Sequence, residues 1–210
     1  MSLIRLLPSA MLNYMIRAVL FDFYGVWTPD IFSEYLAEAK THGWDVEEEL
    51  RKAIHEYFRG QIGPVDIAEA FRYNLRRPDI SNEQFILSED AVYPAIIALM
   101  RGLHSHFLKV GVLANLGTQE YQLLSNFNTR NQVFEVIGGP YAFQMDMPLL
   151  SREVFARALQ AIGEPPASTL VVSGNQDYLN YAHSFGITTL PYEGYTKLLP
   201  TLERVLSEAA

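Results

Sequence analysis

Ala18-Val19-Leu20-Phe21-Asp22-Phe23-Tyr24-Gly25-Val26 is the stretch that decides how this chain folds. Four consecutive apolar residues without alternation have the length of a strand buried on both faces, as in a parallel sheet. The run stops on a carboxylate, and Gly25 follows as a turn signal. A second run of the same kind, Thr169-Leu170-Val171-Val172, ends on Ser173 and Gly174. Residues 108–114, 133–137 and 187–190 read as further strands.

Helical patterns lie between the later strands. Val154, Phe155, Ala158, Leu159 and Ile162 recur at helical spacing, with Ser151 placed as N-cap and Gly163 as the stop. Leu198, Leu199, Leu202, Val205 and Leu206 form a last amphipathic helix. This alternation over residues 105–207 predicts an α/β fold with a doubly wound parallel sheet and right-handed crossovers.

Residues 30–104 carry no strand pattern and predict an all-helical cap inserted after the first strand. Ile31, Phe32, Tyr35, Leu36 and Ala39 mark one helix. Asp45 with Glu48 resembles the capping box of a second, and Pro64 suits the first turn of a third. Ser81 with Gln84 starts a short fourth, and Val92, Ala95, Ile96, Leu99 and Met100 mark a helix returning to the sheet. The core is then 16–29 plus 105–210, and 1–15 reads as an upstream extension or expression remnant, with Met15 a natural start.

Hydrophobic residues make up 49% and charged residues 19%, which suits a buried globular core. A net charge of −8 argues against nucleic acid as partner. No apolar run approaches the ~20 residues of a membrane span, so no membrane partner is expected. Cysteine is absent, which removes disulfides and thiolate chemistry and fits a cytoplasmic location. The five histidines lack metal-ligand spacing and read as structural or solvated.

Ligands of open parallel sheets bind beyond the carboxyl ends of the strands. Those ends carry Asp22, Ala114-Asn115 and Ser173-Gly174-Asn175. Phe21-Asp22-Phe23-Tyr24-Gly25-Val26 resembles the first motif of the haloacid dehalogenase (HAD) superfamily, in the form with tyrosine two residues after the aspartate. Val112-Leu113-Ala114-Asn115 resembles the second motif, and Val172-Ser173-Gly174-Asn175, continuing to Ala182 and Phe185-Gly186, the fourth. Glu56-Tyr57-Phe58-Arg59-Gly60-Gln61-Ile62 resembles the turn region of the family's helical cap. Order and spacing match across residues 16–207.

The resemblance implies a HAD-like core and an Asp22 nucleophile that forms a covalent ester, later hydrolysed by water. It also implies that Tyr24, Asn115 and Asn175 bind substrate, a small molecule held between core and cap. The supporting positions depart from the family. Ala114 has no hydroxyl, the expected lysine falls on Leu149 or Met147, and the expected fourth-motif acid is Tyr178. Arg152 and Asp177 are the residues available to replace them. Fewer anionic ligands converge than a magnesium site usually recruits, so magnesium is disfavoured without being excluded and no other cofactor is expected. Two functions stay open: a divergent HAD-like hydrolase acting on a small substrate that need not be a phosphate ester, and an inactive HAD-fold protein acting as a ligand-binding or interaction module.

Overall fold

The computed structural model describes residues 16–86, 88, 92–106, 108–113, 118–132, 136–138 and 152–208. Five strands, β1 (Ala18–Asp22), β2 (Lys109–Leu113), β3 (Val136–Gly138), β4 (Thr169–Ser173) and β5 (Thr188–Pro191), form one wholly parallel sheet in the order β3-β2-β1-β4-β5. β1 lies at its centre. Its apolar residues divide by strand alternation: Val19 and Phe21 join one core cluster, Ala18 and Leu20 another. That two-sided burial explains an unbroken apolar run.

Helices cover both faces. α4 (Pro94–Ser105), α5 (Thr118–Asn131) and α8 (Tyr195–Glu208) pack with Val19, Phe21, Val110 and Val172. α6 (Arg152–Ile162) and α7 (Gln176–Ser184) pack with Leu20, Leu113 and Val171. Gly163 ends α6 in the left-handed conformation, φ +67°, as its place in the sequence suggests.

Between β1 and α4, the described residues are helical or irregular. α1 (Ile31–Thr41), α2 (Glu47–Phe58), α3 (Pro64–Leu75) and a 3₁₀ turn (Asn82–Phe85) close around their own cluster, with Phe32, Tyr35, Phe71 and Phe85 at its heart. Pro64 opens α3, and Ser81 N–H donates to Gln84 Oε1 at 2.9 Å to close the 3₁₀ turn. α2 differs from its sequence reading. Its N-cap is Val46 with no side-chain bond, because Asp45 stands one residue too early; Glu47, Glu48 and Glu49 instead place negative charge on the first turn.

α4 also differs. The sequence groups it with the cap, yet Ile96, Leu99, Met100 and Leu103 bury against the sheet. The insert leaves and returns where Tyr93 N–H donates to the Trp27 carbonyl at 2.8 Å, ahead of the expected return near His104. Ala114, Asn115, Met147, Leu149 and Ser151 lie outside the described residues.

Candidate active site

The sheet winds away from β1 in both directions, toward β2 and toward β4, so its switch point lies at the carboxyl ends of β1 and β4. Asp22 and Ser173 occupy those two ends. Ser173 Oγ donates to Asp22 Oδ2 at 2.5 Å and accepts the Asn175 backbone N–H at 3.0 Å. That N–H fills an acceptor site on the hydroxyl and leaves its proton for the carboxylate.

Asp22 is partly buried, and its carboxyl is pushed up from 3.8 to about 7. Burial is the main cause; the Ser173 hydroxyl pulls the value back, the charge of Asp30 raises it, and the Phe23 backbone N–H lowers it. Asp30 also caps α1, accepting from Ser33 N–H at 3.0 Å, so one carboxylate fixes the insert's first helix while its charge acts on Asp22.

The remaining expected site residues take different places. Tyr24 contacts Phe23, Phe32 and Phe58 at ring-centroid distances of 4.9, 5.4 and 5.6 Å, which makes it a hinge of aromatic packing between sheet and insert. Asn175 is the N-cap of α7, with Oδ1 accepting the Tyr178 N–H at 3.1 Å, so its side-chain oxygen is engaged by the helix. Tyr178 is buried, its ring 5.1 Å from that of Phe155. Burial, and then the charge of Asp22, push its phenol well above the ordinary tyrosine value, so it stands beside Asp22 as a neutral group. Asp177 is exposed in the first turn of α7, a favourable place for negative charge without any ligand.

Sequence reasoning gave Ser173 no role. The signal was a hydroxyl directly after a buried strand, but its meaning depends on β4 lying beside β1.

A cavity of about 240 Å³ borders Tyr24. Residues of the β1–α1 connection, α1, α2 and the 3₁₀ turn line it, and Asp22 is not among them. Among the described residues, no three of His, Asp and Glu gather as metal ligands. A hydroxyl on Asp22, a buried phenol at Tyr178 and an outward Asp177 gather no ligand set for magnesium among the described residues.

Sheet order, helix placement and a strand-end aspartate together define a haloacid dehalogenase-like fold. No protein-family model matches the sequence. Among solved structures, the chain is similar to a predicted HAD-like family hydrolase from Porphyromonas gingivalis, at 20% identity over 91% of this chain and 98% of that one, TM-score 0.57. It is similar to HAD family enzyme bt-2542 from Bacteroides thetaiotaomicron, a magnesium complex, at 19% identity over 87% and 98%, TM-score 0.57. An L-2-haloacid dehalogenase matches at 22% identity over 85% and 86%, TM-score 0.55. At these identities the likeness is one of fold. No helix among the described residues is long and apolar enough to cross a membrane.

Proposed function

We propose that the protein is a divergent HAD-like hydrolase that uses Asp22 as nucleophile on a small, uncharged electrophile. One observation carries the reading: the Asp22 carboxyl sits at the switch point, held by Ser173. The charge acting on it among the described residues is that of Asp30, of the same sign. An anionic phosphate ester would meet two carboxylates there, whereas a neutral substrate would meet no such repulsion.

In the first step an Asp22 oxygen bonds to the electrophilic carbon as the leaving group departs with its electron pair. Water then adds to the ester carbonyl, the product leaves as an alcohol, and Asp22 regains a carboxyl and its proton. Ser173 orients the carboxylate, and the insert closes the site as a cap over the cleft. No step passes through a metal.

The nucleophile is the ionised form, so turnover rises with pH through about 7 and levels above it. A broad screen of alkyl halides, esters and aryl phosphates at pH 8 tests this, with and without magnesium. The expected result is turnover of a neutral substrate, abolished in Asp22→Asn and indifferent to magnesium. Magnesium-stimulated phosphatase turnover lost in Asp22→Asn would contradict it and promote Asp177 to ligand.

A specific observation favours the second reading, a ligand-binding module. Tyr178 stands where the family's acid is expected, and burial pushes the Asp22 carboxyl up to about 7, which favours its neutral form over the anion a nucleophile needs. No turnover of any substrate by the wild type would select it, whereas turnover that survives Asp22→Asn would overturn the nucleophile assignment.

A further inference from the structure

The cavity beside Tyr24 has a wall chemistry of its own. Tyr24, Phe32, Tyr57, Phe85, Ile31 and Ile86 give it an aromatic and aliphatic lining. Benzene fills an engineered apolar cavity of about 150 Å³. A space of about 240 Å³ therefore has room for an aromatic ring with a short substituent.

The polar groups at its wall are unequally occupied. The Tyr57 hydroxyl donates to the Phe85 carbonyl at 2.9 Å, and Gln84 Oε1 accepts both the Tyr35 hydroxyl and Ser81 N–H. Thr28 is 3% exposed. Its backbone N–H and carbonyl are bonded to Phe23 and Gly25, while its hydroxyl makes no hydrogen bond among the described residues. A hydroxyl that opens on a cavity can pair with a ligand bearing its own polar group.

Charge narrows the class further. Glu83 lies on the lining, held below the ordinary carboxylate range by its own backbone N–H and then by the Ser81 side chain. No lysine, arginine or histidine stands among the lining residues described. An anion would enter against Glu83 with no cation among the described lining residues to offset it.

We infer that this cavity is a binding site for a neutral aromatic molecule whose hydroxyl or carbonyl group hydrogen-bonds Thr28. The inference does not rest on Asp22 chemistry, since Asp22 is not part of the lining.

Benzyl alcohol and benzoate are the probes, titrated into the full chain and followed by saturation-transfer NMR and calorimetry. Benzyl alcohol should bind saturably, and benzoate at least tenfold more weakly. Thr28→Val keeps the shape and removes the hydroxyl, so affinity should fall roughly tenfold, the loss of about one buried hydrogen bond. Ile86→Trp, at a half-exposed rim position, should block entry, which gives a second variant if Thr28→Val fails to fold. Asp22→Asn should bind benzyl alcohol as the wild type does. Each of these results would overturn the inference: no saturable binding by the wild type, equal affinity for benzoate, undiminished binding by the folded variants, or loss of binding in Asp22→Asn. The last would place the alcohol at Asp22 instead, whatever the outcome of the turnover screen.

Discussion

A carboxyl group at the end of a buried strand is either a structural acceptor or a group kept at a cost for chemistry, and pH separates the two. Asp22 titrates near 7 in the folded chain and near its ordinary 3.8 when unfolded. Between those values the folded state binds the extra proton, so its contribution to stability falls as pH rises from about 4 to 7 and is constant above. Asp22→Asn removes that penalty. Its stability gain over wild type should be absent near pH 4 and reach a few kcal/mol, as an order of magnitude, at pH 8. Denaturant unfolding across that range measures it, and a variant less stable at pH 8 would identify Asp22 as a structural acceptor. Asp30→Asn probes the same carboxyl from outside. Asparagine keeps the cap on α1 but removes the like charge, so the rising limb of any pH–rate profile should move to lower pH. An unmoved limb would mean that Asp30 does not act on Asp22.

At the scale of elements, β4 and α7 meet at Ser173-Gly174-Asn175, where capping and site geometry share residues. Asn175→Ala deletes the side-chain acceptor for Tyr178 N–H but keeps the backbone N–H that bonds Ser173. It should lower stability by about 1 kcal/mol in thermal unfolding and leave the titration of Asp22 in place. A shifted titration would show that the Asn175 side chain, and not its backbone, orients Ser173. This region also marks how far the sequence could be read. β1 and β4 were legible because an unbroken apolar run that stops on a turn residue fits a strand buried on both faces and little else. The start of α2 was not, since Asp45 and Glu48 carry a capping-box spacing one residue out of phase with the helix that forms. Periodicity in α4 announced a buried face without saying what buries it. Asp22 was visible as a carboxylate out of place, whereas Ser173 became its partner only through strand order, a non-local property that no local pattern encodes.

On the scale of the whole molecule, apolar packing falls into separate clusters: one on each face of the sheet, and one within α1, α2, α3 and the 3₁₀ turn. Tyr24 packs against both the sheet and the insert clusters, and the two stems of the insert meet at Trp27 and Tyr93. An insert packed on a cluster of its own can lose its core without dissolving the sheet. Phe71 tests this because it is fully buried in the insert, with ring centroids 5.3 Å from Tyr35 and 5.4 Å from Phe85. Phe71→Ala removes roughly 3–5 kcal/mol of packing at such a site. Amide hydrogen exchange should then accelerate by about a hundredfold or more across α1, α2 and α3, while β1, β2 and β4 keep wild-type protection. Equal acceleration in the strands would mean that insert and sheet unfold as one unit. The cap would then have no opening motion of its own, and substrate would have to reach Asp22 through a cleft that stands open in the folded state.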